Sequence, residues 1–147
     1  MDREMRARNK FSFSSAKQPT VLVVDPDPFV QRVVRDILER EQINVVSAQD
    51  SSEALAVLRS QKAIDLIISE WVLPSCSGRQ LAHKAHRRRP YLKTIFVTGL
   101  RSVVLQRQEL GEGECLQKPF APDELINRVE PHLSGRRELL QQRKWSA

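Results

Sequence analysis

The sequence predicts an α/β domain built on a parallel sheet with helices on both of its faces. From Thr20 onward, short apolar runs rich in β-branched residues alternate with longer amphipathic segments, and five such strand–helix units follow one another. Runs that are apolar throughout suit strands that are covered on both faces. Strands that alternate with helices form parallel sheets, because each helix returns the chain to the same edge of the sheet.

The first half of this pattern predicts three strands and two helices. The strands are Val21–Val24, Ile43–Val46 and Ile64–Ile68. The first helix begins at Pro28, since proline suits the first turn of a helix, and it carries one apolar stripe at spacings of three and four. The stripe consists of Val30, Val33, Val34, Ile37 and Leu38. We expect Ser51 or Ser52 to cap the second helix.

The second half predicts two more strands and three more helices. The first four of these elements are the helix Gly78–Arg88, the strand Thr94–Val97, the short helix Val103–Gln108 and the strand Glu114–Leu116. The residue before Pro90 is disfavoured in a helix, which ends the third helix there. Pro122 and Asp123 open a last helix that we expect to end at Val129, because Pro131 disrupts helical hydrogen bonding.

Composition indicates one folded domain between two basic tails. The net charge is +6, yet residues 20–133 carry 15 Lys/Arg and 15 Asp/Glu, which cancel. Residues 1–19 carry 5 − 2 = +3 and residues 134–147 carry 4 − 1 = +3. We expect residues 1–19 to be disordered and residues 134–147 to be a basic tail or an extension of the last helix. Such tails can bind nucleic acid or anionic membrane, although solvated charge is the commoner explanation.

The composition also predicts a cytoplasmic protein without a membrane anchor. No apolar stretch approaches the roughly 20 residues that a transmembrane helix needs, and no signal-peptide pattern opens the chain. Two cysteines, Cys76 and Cys115, are too few for a disulfide framework and fit a reducing compartment.

Polar motifs follow four of the five predicted strands. The motifs are Asp25-Pro26-Asp27, Glu70-Trp71, Thr98 after Val97, and Lys118-Pro119-Phe120. Because parallel strands end at one edge of a sheet, we expect the side chains of Asp25, Glu70, Thr98 and Lys118 to converge in one crevice beyond that edge.

In order and spacing, these motifs resemble the receiver domain of the response regulators of two-component systems, over about 115 residues. The resemblance implies a flavodoxin-like five-stranded sheet of order 2-1-3-4-5. It implies a phosphate-accepting aspartate at the place of Glu70, and phosphoryl contacts from Thr98 and Lys118. It also implies a cis peptide bond before Pro119 and an aromatic switch residue at the place of Cys115.

The chain departs from that pattern in its acidic pocket. We expect the pocket to hold Asp25, Asp27 and Glu70 against the one lysine, Lys118, with Glu70 having the longest reach towards it. Asp25 matches the first acidic residue that holds Mg²⁺ in the family, but Pro26 stands at the second and Asp27 lies one residue further along, too far for a metal contact. Only Asp25, Glu70 and the backbone carbonyl of Val72 remain as potential ligands. Because Mg²⁺ demands near-ideal octahedral oxygen geometry, we expect no metal site, or at most weak Mg²⁺ binding.

Glu70 is the second departure. Its extra methylene moves the carboxylate outward by roughly 1.5 Å, and a misplacement of that size can lower a reaction rate about a hundredfold. The same shift brings a negative charge towards the place of the phosphoryl group, close to Lys118. Glu70 then either imitates a phosphoaspartate or forms a structural ion pair with Lys118.

Other candidate residues favour simpler interpretations. Cys115 is small and apolar and cannot act as the aromatic switch, so we expect a buried core thiol. Cys76 lies in the loop after the third strand, where a reactive thiol is the less favoured alternative. His83 and His86 could suggest a metal pair, but the arginines that follow them indicate a solvated basic helix end.

We therefore predict a degenerate receiver domain that is not an enzyme and that signals through contacts with a protein partner. The partner would be a histidine kinase, a phosphotransfer protein or a downstream effector. A second copy of this chain, in a homodimer, is a further alternative. One alternative is a receiver that is still phosphorylated, on Glu70 or Asp27. A less favoured one is a nucleic-acid binder that acts through its basic tails, since about 14 residues after the domain cannot form a helix-turn-helix unit.

Overall fold

Five parallel strands form a single sheet in the order β2-β1-β3-β4-β5. The computed structural model describes residues 18–60, 63–110 and 114–133. The strands are β1 (Thr20–Val24), β2 (Asn44–Ala48), β3 (Leu66–Glu70), β4 (Thr94–Thr98) and β5 (Glu114–Gln117). The predicted fold class and strand order are both confirmed.

Helices connect the strands and cover both faces of the sheet. They are α1 (Pro28–Arg40), α2 (Ser51–Ser60), α3 (Gly78–Arg88), α4 (Arg101–Leu110) and α5, which comprises residues 122–133. No helix in the described residues is long and apolar enough to cross a membrane.

The apolar core lies in two layers, one on each side of the sheet. Alternate strand residues point to opposite faces, so that Val21 and Val23 pack with α1 and α5, while Leu22 and Val24 pack with α2 and α3. On the second face, near β5, Phe96 forms a smaller cluster with Val104 of α4. Because every strand is covered on both sides, the sheet leaves only its two ends for polar chemistry.

Two strands begin later than predicted. Ile43 and Ile64 are buried, as their apolar character requires, but both lie before the paired residues. The N–H of Ile43 donates to the carbonyl of Leu38 at the end of α1, at 3.1 Å, and is therefore not available to the sheet. The side chain of Asp65 accepts a 2.8 Å hydrogen bond from the N–H of Thr20, and regular pairing of β3 with β1 starts one residue further on.

The expected cap of α2 is wrong, and so is one member of the α1 stripe. The carboxylate of Asp50 accepts a 2.8 Å hydrogen bond from the N–H of Glu53, so Asp50 is the capping residue, and Ser51 is already helical. Val33 is 36% exposed. The buried part of the stripe is narrower and consists of Val34, Ile37 and Leu38.

The last helix continues past its predicted end at Val129. Residues 131–133 are helical in spite of Pro131. Val129 and Leu133 lie four residues apart on one helical face, and both are fully buried in the core shared with α1. Burial of a large aliphatic side chain contributes roughly 1.5–3 kcal/mol to stability. This gain is similar to the roughly 3 kcal/mol that a proline costs inside a helix, so burial of Leu133 offsets much of the cost of Pro131.

Most of the two predicted tails, residues 1–17 and 134–147, lies outside the described residues. Pro19, which we placed in the N-terminal lead, is buried. Its carbonyl accepts a 2.8 Å hydrogen bond from the N–H of Asn44. The chain is thus tied to the sheet one residue before the expected domain boundary.

Candidate functional site

The candidate site is the crevice beyond the carboxyl ends of β1, β3, β4 and β5. Glu70 and Thr98 are the last residues of their strands, whereas Asp25 and Lys118 each follow a strand directly. Backbone hydrogen bonds continue across these ends, from the N–H of Asp25 to Ala48 at 3.0 Å and from that of Lys118 to Thr98 at 2.8 Å. The ladder therefore holds the predicted residues in register, and convergence arises from the sheet itself.

Lys118 joins two of the carboxylates. Its ammonium Nζ lies 2.7 Å from Oδ2 of Asp25 and 3.0 Å from Oε1 of Glu70. The three side chains are largely buried, with 22%, 5% and 14% of the Lys118, Asp25 and Glu70 side chains exposed. Charged hydrogen bonds of this kind are the stronger class in proteins, and low exposure limits their screening.

The ion pairs favour the charged form of Lys118. Burial by itself lowers the pKa of this lysine, but the hydrogen bonds and negative charges of Asp25 and Glu70 outweigh it, so that the pKa is raised above its ordinary value of 10.5. The lysine is therefore a permanent cation in this crevice at neutral pH.

Asp25 is held on every polar atom of its carboxylate. While Oδ2 receives Lys118, Oδ1 accepts a 2.9 Å hydrogen bond from the N–H of Asp27. The backbone carbonyl of Asp25 accepts a further bond, at 2.6 Å, from the side-chain amide of Gln31 on α1. Gln31 thus fixes the β1–α1 loop from below, a role that the sequence pattern did not indicate.

Glu70 also uses both of its carboxylate oxygens within the protein. Oε1 accepts from Lys118, and Oε2 accepts a 3.1 Å hydrogen bond from the N–H of Val72. The second contact curls the side chain back over its own loop. Asp25 and Asp27 make the same contact to the N–H two residues further along, so this bond does not by itself require the extra methylene of Glu70.

Gly78 is a positioning residue that sequence reasoning missed. It opens α3 directly under β3, and a Cβ atom there would collide with the backbone carbonyl oxygen of Glu70. Its N–H donates to the carbonyl of Trp71 at 2.7 Å. Only glycine allows this close approach of helix and strand end. A glycine eight residues after Glu70, at the start of a predicted helix, was the signal available in the sequence.

The structure does not bring Asp27 to Lys118, in contrast to its predicted place in the acidic pocket. Asp27 is exposed, and its Oδ1 accepts a 2.9 Å hydrogen bond from the N–H of Phe29. It is the N-terminal capping residue of α1, with Pro28 following at the first helical position. The cap turns the carboxylate towards the start of the helix, because the first helical N–H groups have no other partner.

Thr98 and the loop after β5 complete the crevice. Thr98 is 1% exposed, and its Oγ1 accepts a 3.2 Å hydrogen bond from the N–H of Leu100. The Lys118–Pro119 peptide bond is cis. Thr98 therefore contacts the Lys118 backbone through its own backbone carbonyl, whereas its hydroxyl is engaged with its own loop.

Cys115, at the expected switch position, is a buried core residue, 6% exposed. It packs with Phe96 and Val104, and Trp71 lies against the same cluster with its ring perpendicular to that of Phe96 at a centroid distance of 5.1 Å. Edge-to-face pairs of this kind are favourable contacts between aromatic rings. The aromatic side chains of this region therefore pack on Cys115, a residue that cannot itself swing as a large lever.

The donor set of the crevice departs from what Mg²⁺ requires. Each carboxylate oxygen of Asp25 and Glu70 already accepts an internal hydrogen bond, Pro26 has no side-chain donor, and Asp27 caps a helix. Within the described ranges, no group of three or more His, Cys, Asp or Glu side chains is placed to hold a metal ion. The ammonium of Lys118 takes the position between the two carboxylates.

Comparison with known proteins agrees with this architecture. A family model described as the response regulator receiver domain matches residues 21–130. The probable transcriptional regulatory protein TcrX of Mycobacterium tuberculosis is 32% identical over 112 residues, which cover 75% of this chain and 47% of that protein. The transcriptional regulatory protein CpxR of Escherichia coli is 32% identical over 129 residues, covering 86% and 51%. The chain thus spans about half the length of these two relatives.

Solved structures show the same likeness. A CheY-like receiver domain protein from Methanospirillum hungatei has a TM-score of 0.71 at 27% identity, covering 83% of this chain and 98% of its own. The response regulator TrrA of Thermotoga maritima, solved in complex with Mg²⁺ and BeF, has a TM-score of 0.70 at 26% identity, covering 79% and 100%. From the matched family model, the strand order and the crevice at the strand ends, we conclude that this chain belongs to the response regulator receiver domain family, whose members are signalling domains of two-component systems.

Proposed function

We propose that this receiver domain is not phosphorylated and that it signals through protein–protein contacts, with the Lys118–Glu70 ion pair in place of a phosphoaspartate contact. The observation that carries the proposal is the 3.0 Å distance between Nζ of Lys118 and Oε1 of Glu70. In the family, this lysine binds the phosphoryl group. Here a carboxylate of the protein already supplies the anion, although with one charge where a phosphate carries nearly two.

The contacts of Glu70 oppose phosphoryl transfer. Attack on phosphorus needs an oxygen in line with the leaving group and cations that neutralise the developing charge. For Glu70 to meet a donor, it has to leave both Lys118 and the N–H of Val72. A Mg²⁺ ion would also have to displace Lys118 from Asp25, where the contact measures 2.7 Å. Both requirements raise the barrier, and we infer that any Mg²⁺ binding is weak.

Protein contact is the function that is left to such a domain. In the family, the last two strand–helix units respond to the site and present the surface that partners read. A permanent ion pair would hold that surface in one state, and the domain would act as a constant ligand for a kinase, a phosphotransfer protein or an effector. The two relatives named above are transcriptional regulatory proteins, and the matched region is about half of each.

Incubation with a small phosphodonor and Mg²⁺, followed by intact mass spectrometry, tests the chemical half of the proposal. We expect no phosphoryl adduct on the wild type and little on Glu70→Asp, because the second metal carboxylate is still missing. Glu70→Asp combined with Pro26→Asp should restore measurable labelling. Asp27→Asn is a matched control and should leave the wild-type result unchanged. Stoichiometric labelling of the wild type would refute the proposal.

Removal of the Glu70 charge tests the signalling half. If the ion pair replaces a phosphoryl contact, Glu70→Gln weakens the binding of a protein partner while the fold stays intact. If the pair is only structural, Glu70→Gln changes the free energy of unfolding and leaves partner affinity the same. Calorimetric titration and chemical denaturation of the same variant separate these outcomes.

A further inference from the structure

The folded domain is neutral in sum, but one segment of it is strongly basic. Between Trp71 and Gln108 the chain carries eight Lys/Arg and no Asp or Glu. Four of these cations lie on α3, which also carries two histidines and no acidic residue. The four are Arg79, Lys84, Arg87 and Arg88. Because Leu81 and Ala85 of α3 are buried against the sheet, the remaining face of the helix is basic and turned outward.

A cleft of about 450 Å³ opens along this basic face. The residues that line it are Ser75, Cys76, Gln80, His83, Lys84 and Arg87. The last four lie at helical spacings of three and four, which places them on one stripe of α3. The opposite wall is anchored to α2, since Oγ of Ser75 lies 3.4 Å from Oγ of Ser51.

The lining of the cleft is suited to an anion. None of its six residues is acidic. Within the described part of the chain, Lys84 and Arg87 form no salt bridge with a carboxylate. The carboxamide oxygen of Gln80 is held by the N–H of Ser77 at 3.0 Å, which leaves its amino group as a donor for a ligand. Cations gathered without counter-charges produce a local positive potential that attracts anions.

We propose that this cleft binds a small anion that carries a chain of two or three phosphates, as in a nucleoside polyphosphate or an inorganic polyphosphate. The guanidinium of Arg87 matches phosphate oxygens with two parallel N–H donors, and Lys84 adds a point charge next to it. A chain of phosphates offers several negatively charged groups to these two cations, whereas a simple carboxylate carries a single negative charge. The volume lies within the roughly 300–1,000 Å³ typical of small-molecule sites and far exceeds what one phosphate needs.

The phosphate chain carries the recognition in this proposal. Phe, Tyr and Trp are absent from the six described lining residues, and the imidazole of His83 is the one ring among them, so a nucleobase would gain little stacking. The site is distinct from the crevice around Lys118, because α3 and the loop before it supply all of the described lining residues. Its failure would therefore leave the proposed function untouched.

Calorimetric titration with sodium tripolyphosphate and with ATP, at low salt and in the presence of a chelator, tests this site. The variant Lys84→Gln/Arg87→Gln removes two lining cations. Its matched control, Arg88→Gln/Arg101→Gln, removes two exposed cations of the same basic segment that do not line the cleft. We expect the lining variant to weaken both probes by about tenfold or more, whereas the control changes them less than about twofold. Amide NMR shifts should cluster on α3 and the loop before it.

Equal affinity for tripolyphosphate and ATP supports the site with an inorganic phosphate chain as its ligand, and tighter ATP binding supports it with a nucleotide. The absence of binding at millimolar probe concentrations overturns the proposal. Shifts centred on Lys118 overturn it as well, since they place the anion in the other crevice. Equal losses in the two variants, accompanied by tighter binding of duplex DNA, would instead indicate a diffuse nucleic-acid surface.

Discussion

Replacement of Lys118 by methionine should destabilise the domain far more than replacement of Glu70 by glutamine. Lys118 is the one cation that contacts Asp25 and Glu70 within the described residues, at 2.7 and 3.0 Å. Without it, two carboxylates that are 5% and 14% exposed face each other in the same crevice. Glu70→Gln, by contrast, leaves Lys118 with a complete partner in Asp25.

The magnitude follows from burial and hydrogen bonding. Loss of one partner of a buried ion pair costs about 3–5 kcal/mol, and this crevice admits some water because Lys118 is 22% exposed, so we expect about 2–3 kcal/mol for Lys118→Met. At roughly 4 °C per kcal/mol for a domain of this size, Tm should fall by about 8–12 °C. Glu70→Gln should cost about 1 kcal/mol or less, the net value of one hydrogen bond.

Urea denaturation at pH 7, followed by circular dichroism, measures both variants, with Lys93→Met as the matched control. Lys93 is an exposed lysine just before β4, and its replacement should change the free energy of unfolding by less than about 0.5 kcal/mol. A loss for Lys118→Met that equals the Lys93 control, or that is smaller than the loss for Glu70→Gln, would refute the reasoning. Either result would mean that water and not the lysine neutralises the carboxylates.

Three further predictions concern pH, packing and capping. Because the folded-state pKa of Lys118 is raised above 10.5, its stabilising contribution is complete below that pH and is lost as the pH rises through the folded value; alkaline denaturation curves should show this loss in the wild type and not in Lys118→Met. Gly78→Ala should cost about 2 kcal/mol in urea denaturation, because the new Cβ meets the backbone at the end of β3, whereas Gly99→Ala meets no atom within 4 Å and should be nearly neutral; equal effects at both glycines would count against the close approach. Asp50→Ala should cost about 1 kcal/mol through loss of the α2 cap, and an unchanged melting curve would return the cap to Ser51 or Ser52.

The sequence predicted the fold because its apolar pattern is simple. Strands buried on both faces are apolar runs, and the helices between them carry one apolar stripe, so element order follows from residue type alone. The predicted strand boundaries were less exact where the side chain and the backbone N–H of one residue serve different elements. Ile43 is apolar and buried, yet its N–H serves the end of α1, and no pattern of side chains reports where a backbone N–H donates.

The convergence of Asp25, Glu70, Thr98 and Lys118 was also predicted from the sequence. Each follows or ends a strand, and parallel strands end together, so the topology is sufficient to bring them to one edge. The strand order came from the resemblance to the receiver family, because periodicity alone predicts a parallel sheet and not the order of its strands.

The partners within the crevice required the tertiary structure. The sequence offered three carboxylates for Lys118 and favoured Glu70 for its reach, but Asp25 makes the shorter contact and Asp27 makes none with it. Asp27 does not contact Lys118, because its carboxylate caps the first N–H groups of α1. Glu70 contacts Lys118 with only one oxygen, because its second oxygen accepts from the N–H of Val72. Residue type and strand order determine which side chains meet at an edge, whereas the competition of backbone donors for the same oxygens is decided only in three dimensions.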